Sequence, residues 1–285
     1  HVGKDNFLAG LRKYFAKHAW GNTKLRDLLV ELEATSGRDL TPWVKTWLQT
    51  AGVNTFRSQI EISGDQYKSI DIIQEPPLIP TGSKELRQHR MAIGLYDLTN
   101  GKLHRRKSIE LDVDGAKTNV PQLSGEKIAD LVLINDHDYS YGKIRFDAKS
   151  LTTLGQHLGD IEDPLTRALC WSAAWDMHRD GEMSSSEYVP LVLNSIGKES
   201  DVAVVAMTLT QLETSVEIYA ADMYTDSKDE PRMKVTLVVL DQDKKMLEEG
   251  KEVPIRGRRL WVRTYTQFSK PGNRKPTTLT SLVAA

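Results

Sequence analysis

Cysteine is nearly missing from this sequence. Cys170 stands alone among 285 residues, so no intrachain disulfide can form. A small secreted disulfide scaffold is thereby excluded, and the usage leans toward a reducing compartment, with a cytoplasmic location as the expectation. No apolar run approaches the ~18 residues that cross a bilayer, and no basic-then-apolar leader opens the chain. Neither sign of charge dominates: 38 Lys plus Arg against 39 Asp plus Glu leave a formal charge of -1. Such balance points to neither a nucleic-acid partner nor an anionic membrane surface.

The common catalytic signatures are missing too. A helical zinc peptidase site needs two histidines one turn apart with a glutamate between them, so that both imidazoles reach one ion while the carboxylate activates its water. The seven histidines are His1, His18, His89, His104, His137, His157 and His178, and none lies four residues from another. There is no G-x-S-x-G elbow, no P-loop and no dinucleotide-binding glycine pattern. The residues alone therefore assign no catalytic group and no metal ligand, and leave substrate-binding residues unknown.

What is present divides into three blocks. Residues 1–53 carry helical spacing: Phe7, Leu8, Leu11, Tyr14 and Phe15 after Asp5 as a candidate cap, then Leu25, Leu28, Leu29 and Leu32 after Thr23, then Trp43, Val44, Trp47 and Leu48 after Thr41-Pro42. Residues 54–148 switch to alternation, as in Ser58–Ile62 and Ser69–Ile72, with further strands over Arg90–Leu98, Lys102–Leu111 and Asp130–Ile134. Thr99-Asn100-Gly101 and Asp114-Gly115 are strong turn chemistry between strands, and the sum predicts an antiparallel β-sandwich. Helical spacing returns over 149–285: Asp163-Pro164 starts one helix, Ser184 with Glu187 has the capping-box spacing for a second, and a third runs from Ser200 to about Tyr219. Past Ala221 the pattern is less regular, with a strand-like run over Met233–Leu240.

Several clusters invite a functional reading and each has a plainer one. His178 and Glu182 lie one turn apart, but Gly181 ends the helix between them. Asp136-His137-Asp138 follows an apolar strand and reads as a solvated turn. Cys170, between Leu169 and Trp171, reads as a small core hydrophobe. Arg87, Arg90, His104, Arg105, Arg106 and Lys107 could form a basic face, yet no exposed aromatics interleave them to stack bases. Trp43 and Trp47 could line a cleft, though packing is the commoner role of such a pair. The basic stretch Lys270–Lys275 reads as a solvated linker.

Ordered motifs in the first block carry a resemblance. Phe7-Leu8-Ala9-Gly10-Leu11-Arg12-Lys13-Tyr14-Phe15, His18-Ala19-Trp20-Gly21-Asn22, Ser36-Gly37-Arg38-Asp39-Leu40 and Thr50-Ala51-Gly52-Val53-Asn54 resemble the helical end of the catalytic domain in the aminopeptidase N family of zinc peptidases. Leu86-Arg87-Gln88-His89-Arg90, Leu131–Asn135 and Leu165–Leu169 with Trp171 and Trp175 are similar to actinobacterial-type members, so the resemblance covers about residues 1 to 221. It implies a multi-domain α and β architecture: catalytic-domain helices over 1–53, a β-sandwich over 54–148, and an α-helical array over 149–285. It implies a parent protein that releases N-terminal residues from peptides with a zinc-activated water. The family's catalytic and zinc-binding motifs precede the region corresponding to Phe7, so this chain is expected to be an inactive fragment without zinc, partnered by the upstream catalytic domain. Opening on His1-Val2-Gly3 directly before a helix fits a start inside a longer polypeptide. After Tyr219 the helical array is expected to continue, and Thr277–Ala285 resembles the start of a family helix. The alternative is a non-catalytic interaction or scaffold module.

Overall fold

The computed structural model describes residues 1–219, 233–240, 259–268 and 277–284. It opens with three helices, α1 (Lys4–Lys17), α2 (Leu25–Ser36) and α3 (Thr41–Leu48). Gly3 rather than Asp5 precedes α1, and Lys24 rather than Thr23 precedes α2. The Asp27 carboxylate accepts from the Lys24 backbone N–H (2.8 Å), so α2 is held from its third position. Helices α1 and α2 run antiparallel. Thr35 Oγ1 donates to the Asn6 carbonyl (2.9 Å) and Lys17 Nζ to Glu31 (3.0 Å). Leu29, Leu32 and Leu40 form a small core of their own, with Val2, Leu28 and Val44 against it.

Two sheets follow. One has the order β5-β2-β1-β7, from β1 (Thr55–Ser63), β2 (Gln66–Glu75), β5 (Lys117–Asn119) and β7 (Lys143–Arg145). The other has the order β4-β3-β6, from β3 (His89–Thr99), β4 (Lys102–Val113) and β6 (Leu131–Asp136). The β3–β4 hairpin turns through Asn100 (φ 53) and Gly101 (φ 75) between paired Thr99 and Lys102. Two consecutive positive φ values make the primed turn whose twist suits a hairpin, and Asn-Gly tolerates them best. The expected antiparallel β-sandwich is present, with one parallel edge, where β7 runs beside β1. A long connection through β3 to β6 separates those two strands, so a hairpin does not constrain their direction. Ile60 and Ile62 do not share a buried face: the register slips between Glu61 and Ile62, and Ile62 is 56% exposed.

Helices α4 (Ala148–His157), α5 (Pro164–Arg179), α6 (Ser185–Ser195) and α7 (Val202–Thr214) complete the main body. Asp163 caps α5, its carboxylate accepting from the Leu165 and Thr166 backbone N–H groups, and the Ser184–Glu187 capping box starts α6. Asp201 caps α7, which passes into one wide π-type turn over Ser215–Tyr219. The hydrophobic core continues without a break from Phe56, Ile93 and Leu133 in the sheets to Trp171, Tyr188 and Leu212 in the helices.

Beyond Tyr219 the described residues are strands where helices were expected. Strands β8 (Met233–Leu240), β9 (Arg259–Phe268) and β10 (Thr277–Ala284) form an antiparallel sheet of order β10-β9-β8. The strand reading of Met233–Leu240 agrees with this; the helix start at Thr277 does not, since Thr277–Ala284 is a strand paired along its length with β9. The basic stretch 270–275 lies outside the described residues.

Candidate functional site

The first three helices meet the sandwich at a seam built on charge and aromatic rings. Arg87, 3% exposed, sits at its centre just before β3. Its guanidinium donates to the carbonyls of Thr46 (2.9 Å) and Ala51 (3.3 Å), to Thr50 Oγ1 (2.7 Å) and to Asn54 Oδ1 (3.0 Å), and lies 5.7 Å over the Trp47 ring. These partners are all neutral. The cation instead faces carbonyls at and just beyond the C-terminal end of α3, where the helix carries partial negative charge. Asn54 passes the link on, donating to the carbonyls of Glu75 (3.1 Å) and Glu85 (2.7 Å).

His89, two residues on, is also 3% exposed. Its Nδ1 bonds Ser140 Oγ at 2.6 Å, and its ring meets Trp47 (4.9 Å) and Phe56 (4.7 Å) edge-on. Burial, and then the nearby Arg87 charge, push its pKa down to about 4, so His89 is neutral near pH 7. Trp43 stacks on Trp47 at 6.2 Å with 24° between the rings. The pair serves the seam rather than the interior of the helical bundle.

Three further polar nodes fasten the body. Asp136, fully buried at the end of β6, accepts from Tyr96 OH (2.7 Å), Arg105 Nη2 (3.0 Å) and Ser108 Oγ (3.1 Å), while Arg105 Nε donates to Tyr96 OH (2.9 Å). Tyr96 and Arg105 in turn reach Thr166 on α5 (3.1 and 3.2 Å), tying sheet to helix. The solvated-turn reading therefore fails for Asp136: β6 is buried along its whole length, and an acid at its end goes in with it. His137 and Asp138 do occupy a turn, at φ 74 and 56. In the second node, Arg145 pairs with Glu182 (2.7 Å) and Asp180 while Lys143 holds Asp180 (2.7 Å) and Arg57 joins Glu75 and Glu182 (2.7 Å each). In the third, Arg167 grips Glu199 through two bonds of 3.0 Å, and Trp171 Nε1 donates to the same carboxylate (3.1 Å). Burial opposes ionisation of Glu199, yet the Arg167 fork and backbone N–H donors hold its pKa below the usual range.

The basic face does not form. Arg87 and Arg105 turn inward, while Arg90 faces Glu110 and Asp112, Arg106 faces Asp97 and Glu126, and Lys107 faces Glu126. His178 and Glu182 do not meet in one site. His178 stacks on Tyr188 (4.8 Å, 6°) with Nδ1 on the Met183 carbonyl, whereas Glu182 belongs to the Arg57 and Arg145 network. Cys170 is fully buried, and burial pushes its thiol pKa up, leaving no thiolate to react. Among the described residues no three His, Cys, Asp or Glu side chains stand together as a cation site needs.

Sequence comparison reaches the same stretch of chain. Residues 131–242 match the family model described as ERAP1-like C-terminal domain. Over 226 residues, 78% of this chain, it is 50% identical to Aminopeptidase N from Streptomyces lividans, covering 26% of that protein. The chain belongs to the aminopeptidase N family. A more distant relative is the Tricorn protease-interacting factor F2 of Thermoplasma volcanium, 23% identical over 224 residues, 74% of this chain and 24% of that protein. Aminopeptidase N of Lactococcus lactis is 36% identical over 59 residues, 21% of this chain and 7% of the relative. The chain thus spans about a quarter of the length of the first two relatives it matches.

Trp43 and Trp47 stood out in the sequence as a helical pair, and Arg87, Arg105, Asp136 and Glu182 stood out for roles other than the ones they hold here. Asn54 stood out only through the resemblance, and Arg145 and Glu199 gave no signal, because their ion-pair partners lie tens of residues away.

Proposed function

We propose that this chain is the C-terminal, non-catalytic part of a zinc-dependent aminopeptidase that releases N-terminal residues from peptides in the cytoplasm. The observation that carries this reading is the 50% identity across 226 residues to an aminopeptidase N. In this reading residues 1–53 are the last helices of the catalytic domain, 54–148 the sandwich and 149–285 the C-terminal domain. Phe7, Phe15, Trp20 and Leu25, all more than 40% exposed on or beside α1 and α2, support it as an apolar surface that the rest of a catalytic domain would cover. The zinc ion and its ligands belong to the upstream part of the parent, and peptides reach this chain only through that parent.

The test compares this chain with the whole parent protein for release of a chromogenic amine from an aminoacyl substrate, alongside zinc content. The parent should cleave, lose activity to a chelator and regain it with zinc, while this chain is silent. A parent without zinc-dependent release overturns the reading.

A further inference from the structure

Three elements wall in His89. Trp47 on α3 and Phe56 on β1 meet its ring edge-on, and Ser140, on the loop after β6, bonds its Nδ1. The other ring nitrogen, Nε2, is sealed from water and makes no hydrogen bond. A doubly protonated ring in this place would hold an Nε2–H without an acceptor and a charge cut off from water. The neighbouring charges give no relief. Arg87 opposes a second cation, and the His1 amine and Arg38 lie on the same side. The carboxylates are engaged elsewhere: Asp112 with Arg90, Asp114 with Gln88, Asp138 with Asn135. On β1, Arg57 is taken by Glu75 and Glu182. On the loop, His137 is turned to Asp136 and Ser108, and the phenols of Tyr139 and Tyr141 line the hollow outside. The charged residue of α3, Lys45, is exposed.

Packing decides which wall yields. Phe56 belongs to the continuous core, and Asn135 holds Ser140 by both its backbone N–H (3.0 Å) and its carbonyl (2.6 Å). Helix α3, eight residues long, has no buried residue at all. We propose that His89 is a proton-operated latch: α3 lifts from the sandwich as the ring takes up its second proton, and settles back when that proton leaves. Sealing at Nε2 makes lifting and protonation one event. The same movement opens Arg87 to water, because its partners Thr46, Thr50 and Ala51 leave with α3 and the residues that follow it. Both cations are thus hydrated together. The latch rests on the seam alone and is independent of the function proposed above.

Amide hydrogen exchange of this chain at pH 7, 5.5 and 4.5, corrected for the intrinsic chemical rate at each pH, tests it. Protection of the α3 amides should fall roughly fiftyfold from pH 7 to pH 4.5, the linkage between a free ring at 6.5 and a closed one at about 4. Residues 131–134 in β6 should remain closed. In His89→Phe, which keeps a ring in the seam, the fall should vanish. The imidazole resonances of His89 in the unaltered chain supply a readout that needs no variant, and they should shift in step with the loss of protection in α3. Protection in α3 that does not change with pH, protonation of His89 with α3 still protected, α3 and β6 opening together, or an undiminished fall in the variant overturns the proposal.

Discussion

His89 is clamped between Trp47 and Phe56 with its charge suppressed, and that clamp has a pH signature. A histidine whose folded pKa lies below its unfolded value of 6.5 favours folding in full above pH 6.5. That contribution is lost as pH falls through about 4, because protonation is then easier in the unfolded chain. At about 1.4 kcal/mol per pKa unit, the drop from 6.5 to about 4 sets its size at roughly 3–4 kcal/mol at most. His178, whose pKa burial also lowers, adds a slope of the same sign. In His89→Phe the ring remains but the titration does not. The urea midpoint of the native chain should drop between pH 7 and pH 4.5, and that of the variant should drop less. Equal drops would remove His89 from the account of acid sensitivity.

Among the elements, β3 is fixed by a glycine rather than by a side chain. A Cβ on Gly94 would fall 2.6 Å from Asp136 Oδ2 and 2.7 Å from the Tyr96 ring, so only glycine lets β6 bring its buried acid under β3. Gly94→Ala should lower stability by about 1–3 kcal/mol through overpacking, read as a shifted denaturation midpoint; a neutral result would mean that Asp136 and Tyr96 move aside without cost. Asp163-Pro164, Ser184 with Glu187, and Asn100-Gly101 are legible because cap and turn chemistry acts within a few residues. The start of α3 was displaced by one, Thr41 being its first helical residue rather than its cap, since a cap is defined by geometry that Leu40 supplies here. Asp136 was misread because its burial depends on β6 lying between β3 and the helices. The parallel edge at β7 and the Arg145 network depend likewise on contacts far apart in the chain.

For the whole molecule, the distribution of apolar contacts separates two bodies with different cohesion. One continuous core joins the sandwich to α4–α7, whereas α1–α3 keep a cluster of Leu29, Leu32 and Leu40 and meet the sandwich through polar and aromatic contacts. A small core supports little stability by itself. Amide hydrogen exchange should therefore show residues 4–48 opening well before strands β3 and β6, and mild proteolysis should cut first between Gln49 and Asn54. Uniform protection across the chain would contradict this division. The continuous core also bears on how such a protein diversifies. A recombination crossover near residue 148 would separate Leu131 and Leu133 from the helices that cover them, and the hybrid would inherit two mismatched halves of one interior. A crossover near residue 53 cuts no such interior; beyond the chain connection it must preserve chiefly Arg87 and the carbonyls it holds. A hybrid joined near residue 148 should therefore lose more stability than one joined near residue 53.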